Sequence, residues 1–175
     1  MNRRNKAGWF AVIATLGLFG CGPGEPERGI PEDAERCVVE EDSGGALEAR
    51  AVALGVGGAG SFRSFQDGEE AELVGGFQGG YMITPAVRVE AAGDSRDEAC
   101  FQVHLENALM EGGEVGPGAL VNATFTRSGD FFYVESLYDL LGFDPGSLQG
   151  KTLLLSATVS GIGFEGTQAV SVRLK

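Results

Sequence analysis

Within residues 37–175, several segments have an apolar residue at every second position, with polar or small residues between them. A period of two is typical of a β-strand with one buried face, whereas an amphipathic helix repeats every three to four residues. The alternation predicts strands within eight segments, namely Val52–Val56, Ala71–Leu73, Ile83–Val89, Phe101–Leu105, Val121–Phe125, Phe131–Leu137, Leu153–Val159 and Val170–Leu174.

Strands with one apolar and one polar face indicate antiparallel sheets with one face exposed to solvent. Two such sheets can bury their apolar faces against each other, so we expect an all-β, antiparallel β-sandwich of seven to eight strands. The pattern resembles that of immunoglobulin-like sandwiches. The Cys…Trp…Cys core of that group is absent, because the one tryptophan is Trp9.

Two local features interrupt the strand pattern. Residues 136–142 combine a serine that could cap a helix, apolar residues spaced by three and four, and a terminal glycine, so they predict one short helical turn. Pro85 lies inside a strand pattern and lacks a backbone N–H, which predicts an edge strand or a bulge there.

The N-terminal segment is basic at its start and then apolar. Arg3, Arg4 and Lys6 form a positive start, and residues 7–20 are uncharged and mostly apolar. This apolar run of about 14 residues is shorter than the roughly 20 residues that span a bilayer as a helix. A signal peptide over residues 1–20 is therefore favoured over a permanent transmembrane anchor.

The signal ends in Leu18-Phe19-Gly20-Cys21, which resembles the lipobox of bacterial lipoproteins, with Phe19 bulkier than the residue usual at its position. The resemblance implies that Cys21 receives a diacylglyceryl group on sulfur and an acyl chain on its new amine. It also implies an anchor in the outer rather than the inner membrane, since Gly22 replaces the aspartate that retains inner-membrane lipoproteins. Residues 21–36 are acidic and proline-rich, which predicts a flexible tether before a domain over residues 37–175.

Two cysteines remain after Cys21. Cys37 and Cys100 are an even pair in a chain with an export signal, so we predict a disulfide between them. The alternative is two separate reduced thiols.

Charge and motifs exclude several classes of function. The chain has 25 acidic and 13 basic residues, a net charge of -12, which argues against a general nucleic-acid binder. Residues 55–60 match G-x-G-x-x-G, but no helical period follows to hold a dinucleotide. His104 is the one histidine and falls on the polar face of its strand, so a surface role is favoured over a catalytic one. Nothing in the sequence indicates a cofactor.

Two groups of residues are candidates for binding. Asp94, Asp97 and Glu98 supply oxygen ligands that calcium could use, although a solvated acidic loop is the simpler interpretation. The segment 75–81 is glycine-rich, and its Phe77, Gln78 and Tyr81 could contact a partner or a sugar. Alternatively, the two aromatic rings plug the end of the sandwich. This segment resembles a stretch in uncharacterised lipoproteins of deltaproteobacteria, a resemblance that implies no known activity.

The sequence therefore favours a non-catalytic lipoprotein of the cell envelope, anchored in the bilayer through acylated Cys21. Its domain would bind an envelope protein or glycan through loops or an open sheet edge. Two alternatives stay open, a small exported hydrolase that uses carboxylates and an accessory subunit of an envelope or secretion complex.

Overall fold

A computed structural model describes residues 37–39, 47–76, 79–113 and 115–175. The predictions for the signal peptide, the lipobox with Cys21 and the tether lie outside the described residues, as do Phe77 and Gln78. The described part is almost entirely β, in agreement with the all-β prediction.

Thirteen strands and one short helix make up the described part of the chain. In chain order they are β1 (Glu48–Ala49), β2 (Val52–Val56), β3 (Arg63–Ser64), β4 (Glu69–Ala71), β5 (Val74–Gly75), β6 (Tyr81–Ile83), β7 (Ala86–Glu90), β8 (Glu98–Leu109), β9 (Ala119–Ser128), β10 (Phe131–Val134), β11 (Asp139–Gly142), α1 (Pro145–Leu148), β12 (Thr152–Gly161) and β13 (Phe164–Leu174).

The strand count exceeds the seven or eight that the alternation predicts, so that part of the prediction is wrong. Three of the additional strands, β1, β3 and β5, have two residues each, which is too short to display a period of two in the sequence. The other two arise because the predicted strand over Ile83–Val89 is divided into β6 and β7, and because β11 lies in the segment predicted as a helical turn.

Most strands belong to one open sheet of ten. Nine of its strands follow one another in the order β1-β13-β12-β8-β9-β10-β7-β2-β3. The tenth strand, β4, also pairs with β13. The pairings are antiparallel except where β13 meets β1 and β4, which run parallel to it. The long strands β8, β9, β12 and β13 are neighbours and carry the clearest alternation of buried and exposed residues.

The remaining three strands form a small sheet in the order β11-β6-β5. The predicted strand over Ile83–Val89 is split at Thr84 and Pro85, because β6 belongs to the small sheet and β7 to the large one. Pro85 is buried in this connection and its carbonyl accepts a hydrogen bond from Leu137 N–H at 2.8 Å. The prediction of an edge strand or bulge at Pro85 is therefore wrong: the proline marks a change of sheet.

The core is built from the inward residues of the long strands. Phe101 lies at the centre of a ring cluster, with centroid distances of 5.1 Å to Phe125, 5.4 Å to Phe132 and 5.0 Å to Phe164. All four side chains are fully or almost fully buried. Tilted and edge-to-face ring pairs of this kind add stabilisation beyond the apolar area that they bury.

The two ends of the large sheet approach each other. Leu54 in β2 donates its backbone N–H to the side-chain Oε1 of Gln168 in β13, at 2.6 Å. Gly166, also in β13, faces the backbone carbonyl of Arg50, which leaves no space for a Cβ atom. A glycine at this position thus allows β13 to pass close to the segment that leads into β2.

The predicted helical turn over residues 136–142 is wrong. Ser136 has a positive φ of 54°, which is incompatible with a right-handed helix, and β11 follows it. The apolar spacing reflects a strand, in which Asp139 and Leu141 point inward and Leu140 points outward. The actual helix is α1, where Asp144 caps the N-terminus by accepting the Gly146 N–H at 3.0 Å and Pro145 occupies the first turn.

Candidate functional site

The glycine-rich segment predicted as a binding loop links β5 to β6. Gly76 N–H donates to the carbonyl of Gly80 at 2.7 Å, which closes the loop at its base. Tyr81 begins β6, is half-buried and packs against the core. This placement is consistent with the plugging interpretation of Tyr81, whereas Phe77 and Gln78 are outside the described residues.

An apolar groove lies beside this loop, on the outer face of the small sheet. It has a volume of about 720 Å³ and is lined by Val74, Gly75, Gly76, Met82, Tyr138 and Leu140. The register explains why these side chains meet: Met82 in the middle strand pairs with Val74 on one side and Leu140 on the other. Residues paired across neighbouring strands project to the same face, so the three form one apolar surface.

The side chains that line the groove are partly exposed to solvent. Val74 is 38% exposed, Leu140 42% and Tyr138 70%. Phe143, 68% exposed, extends this surface, since its ring lies 3.5 Å from the point where a Gly80 Cβ would stand. A contiguous exposed apolar surface of this kind marks a binding site more often than scattered single residues do.

Two glycines shape the rim of the groove. A Cβ atom at Gly80 would come within 2.6 Å of Leu140 Cδ1, and one at Gly76 would collide with Met82 Cε. Neither glycine has a positive φ, so space rather than backbone conformation requires them. The glycines of the loop therefore let the groove side chains lie against its backbone.

A buried carboxyl group lies directly beneath the groove. Asp139 is fully buried, and Asn107 Nδ2 in β8 donates to its two carboxylate oxygens at 3.1 and 3.0 Å. Burial raises the pKa of Asp139, and the hydrogen bond from Asn107 opposes this only in part. The pair is a polar link between the small sheet and the large sheet, because the two residues come from different sheets.

The candidate calcium ligands are not brought together. Arg96 binds Asp94 through Nε, at 3.0 and 3.1 Å to its two oxygens, and these bonds lower the pKa of Asp94. Asp97 and Glu98 are exposed at the start of β8. Nowhere in the described residues do three His, Cys, Asp or Glu side chains gather as they would around a metal ion.

Two sequence motifs have structural roles. The G-x-G-x-x-G match at residues 55–60 forms the end of β2 and a turn, in which Ser61 N–H donates to the Gly58 carbonyl at 2.9 Å. The strand β3 follows, so the helix that a dinucleotide would need is not there, as the sequence predicts. His104 is exposed on β8, between Leu120 and Thr158 of the neighbouring strands.

A disulfide joins Cys37 to Cys100, in agreement with the predicted pairing. The Cα atoms are 5.4 Å apart and the two residues are separated by 63 positions. Cys100 lies in β8, and the Cys37 carbonyl accepts a hydrogen bond from Asn122 Nδ2 of β9 at 3.4 Å. The segment at Cys37 is thus fixed to the middle of the large sheet.

Sequence reasoning missed most of the groove. The sequence pattern predicts a helical turn for Tyr138 and Leu140, and it predicts no binding role for Val74 or Met82. The exposure of Leu140 and Phe143 follows from the path of β11 and the residue after it, which the sequence pattern does not predict. Their partners become visible only once the pairing of β11 with β6 is known.

Comparisons with protein-family models, with curated proteins and with solved structures return no significant match to this chain. Among the described residues, no helix is long and apolar enough to cross a bilayer.

Proposed function

We propose that this chain is a non-catalytic lipoprotein of the cell envelope, anchored through a lipid on Cys21, that presents the apolar groove to a partner protein. The observation that carries the binding role is the groove itself, where Val74, Met82 and Leu140 share one solvent-facing surface. An accessory subunit of an envelope or secretion complex would be one form of this role.

The groove favours a protein as the partner. Its lining is apolar and includes an exposed tyrosine, and burial of such side chains contributes most of the free energy in protein interfaces. A glycan would instead need several converging polar groups to replace the water on its hydroxyls. We therefore infer that an apolar segment of another envelope protein seats between Val74 and Tyr138.

The location in the envelope rests on the sequence. The positive start, the short apolar run and the lipobox ending at Cys21 support export followed by lipid attachment. The Cys37–Cys100 disulfide supports an oxidising compartment. Two acyl groups on one cysteine would hold the chain at a membrane far more firmly than a single chain does.

The same proposal includes a sandwich of immunoglobulin-like type. Supporting it, β2 and β13 stand far apart in the order of the large sheet, yet Gln168 bonds the backbone of Leu54. A sheet whose distant strands meet in this way is folded over on itself, as a two-layered arrangement requires.

A carboxylate-based hydrolase is the less favoured candidate. Of the described carboxyl groups, Asp139 is the one whose pKa is raised, as a general acid would require. Its carboxyl group is fully buried and already bound by Asn107, so a substrate could not reach it.

Photo-crosslinking in cells tests the proposal. A photoreactive residue replaces Tyr138 at the groove, and crosslinked products are sought in the membrane fraction. We expect one dominant protein adduct, which should be lost when Leu140→Asp places a charge in the groove. In a Cys21→Ser variant the chain should leave the membrane fraction, because the lipid attachment site is gone.

A matched control is available on the large sheet. Leu154 in β12 is 43% exposed, against 42% for Leu140, but lies outside the groove. The Leu154→Asp variant should therefore keep the adduct. Loss of the adduct in both variants, or its survival in both, would contradict a specific role for the groove, and circular dichroism checks that both variants fold.

A further inference from the structure

A second cluster lies on the outer face of the large sheet, around Arg88 in β7. Its guanidinium carbon stands over two rings, 4.8 Å from the centroid of Phe62 and 4.4 Å from that of Phe131. Tyr133 completes the group, with its ring centroid 5.7 Å from Phe62 and 6.3 Å from Phe131. We call these four residues the Arg88 cluster.

The strand pattern places the cluster outside the core. Val87 and Val89 are fully buried, so Arg88 between them projects from the opposite face of β7. Arg88 and Tyr133 are directly paired across β7 and β10. All four members of the cluster are half-buried, which leaves part of each side chain in contact with solvent.

The guanidinium of Arg88 has no acidic partner. No carboxylate of the described residues lies within 4.0 Å of it, and none of its N–H groups donates to a described atom. Arg63 and Arg96 differ, since each is paired with a carboxylate, Glu69 and Asp94 respectively. Arg88 is thus a cation held by aromatic rings in a chain whose net charge is -12.

This arrangement prepares the guanidinium for a planar anion. Rings over a guanidinium restrict its rotation and leave the N–H groups at its edge available. Those N–H groups match the two oxygens of a carboxylate, and partial burial strengthens the charge-assisted bonds. The Tyr133 hydroxyl makes no hydrogen bond within the described part of the chain, so it offers a further donor beside Arg88.

We propose that the Arg88 cluster binds the carboxylate group of a small acid, a site separate from the apolar groove and independent of it. A singly charged carboxylate fits better than phosphate, because the net charge of -12 repels a dianion more strongly. The carboxylate could be carried on a sugar or on a short acyl chain, and these two sources are distinguished by the probes below.

Titration of the whole chain in detergent micelles, followed by NMR of the arginine Nε–Hε signals, tests the site. Glucuronate and acetate should both shift the Arg88 signal in a saturable way, whereas glucose, which lacks the carboxylate, should not. Tighter binding of glucuronate than of acetate identifies a sugar acid, and the reverse identifies an acyl acid. Inorganic phosphate should bind more weakly than either.

Variants assign the effect to the guanidinium. Arg88→Lys keeps the charge but loses the planar set of donors, so the affinity for the carboxylate should fall about tenfold. Tyr133→Phe removes only a hydroxyl and should weaken binding about threefold. Arg173→Lys is the matched control, an exposed arginine of β13 with no ring contact in the described structure, and should change nothing.

Three outcomes would overturn the proposal. The first is no saturable shift of the Arg88 signal up to about 50 mM acetate or glucuronate. The second is equal affinity in the Arg88→Lys variant, which would show that charge alone attracts the anion. The third is stronger binding of phosphate than of the carboxylates. Amide spectra of each variant show whether the fold is intact, and Tyr133→Phe keeps the test valid if Arg88→Lys fails to fold.

Discussion

The Cys37–Cys100 disulfide should supply a large share of the stability of this domain. Replacing both cysteines by alanine removes the crosslink without leaving an odd thiol. The bond joins residues 63 positions apart, and the chain-entropy estimate for such a loop is about 4 kcal/mol at 25 °C. The free energy of unfolding of a domain of this size is only about 5–15 kcal/mol, so the double alanine variant should be markedly less stable than the wild type.

Urea denaturation followed by far-ultraviolet circular dichroism measures the effect. The oxidised wild type, the reduced wild type and the double alanine variant are compared in one buffer. The reduced wild type is the control for packing, because it retains both cysteine side chains and lacks only the covalent bond. The free energy of unfolding of the reduced protein and that of the double alanine variant should each be about 4 kcal/mol lower than that of the oxidised wild type.

A small difference would refute the reasoning. If the oxidised and reduced proteins differ by less than about 1 kcal/mol, the crosslink does not restrict the unfolded chain as the loop length demands. If the reduced protein matches the oxidised one but the double variant is destabilised, packing of the sulfur atoms is responsible instead.

Two further predictions concern the core. Phe101→Leu removes three ring contacts and should lower the free energy of unfolding by about 2–4 kcal/mol. Phe65→Leu changes a buried ring outside that cluster and should lower it by about 1 kcal/mol. Chemical denaturation measures both values, and equal losses would contradict the prediction. Burial raises the pKa of Asp139 above its ordinary value of 3.8. The stability that the protonated side chain contributes is therefore complete below pH 3.8 and is lost as the pH rises through the folded-state pKa. The Asp139→Asn variant should therefore be more stable than wild type near neutral pH and should lose that advantage towards pH 4. A difference in urea midpoint that does not change with pH would contradict a raised pKa for Asp139.

The all-β character was predictable because the period of two is a local property. The long strands β8, β12 and β13 each place a buried residue at alternate positions, so sequence neighbours alone reveal them. The split at Pro85 was not predictable in the same way. Thr84 and Pro85 interrupt a continuous alternation, and only the partners of β6 and β7 show that the chain changes sheet there.

The segment around β11 departs from the predicted helical turn for a different reason. Leu137, Leu140 and Leu141 have spacings that fit a helix, and Asp139 resembles a polar residue on an exposed face. In the structure, Asp139 is instead buried against Asn107, a residue 32 positions earlier in the chain. A polar residue can face the core when it forms a hydrogen bond with a partner that is distant in the sequence. The local sequence pattern does not identify that partner.

The sequence predicts the loop next to the candidate site but not the residues that line the groove. The glycines and aromatic residues of segment 75–81 predict a binding loop, and the groove lies beside this loop. The groove needs Val74, Met82 and Leu140 from three strands, and their register is a tertiary property. The Cys37–Cys100 pairing could be predicted because the predicted export signal favours disulfides and only two cysteines follow Cys21.

The position of the disulfide also decides how a mechanical load would enter this domain. Tension on the chain before Cys37 passes through the sulfur atoms directly into the backbone of β8, which is paired with β9 on one side and β12 on the other. The 63 positions between the two cysteines are bypassed, so roughly 220 Å of extended chain could not be drawn out while the bond is intact. A domain pulled from its N-terminal side would therefore resist at its centre, where shearing of β8 breaks hydrogen bonds on both sides together.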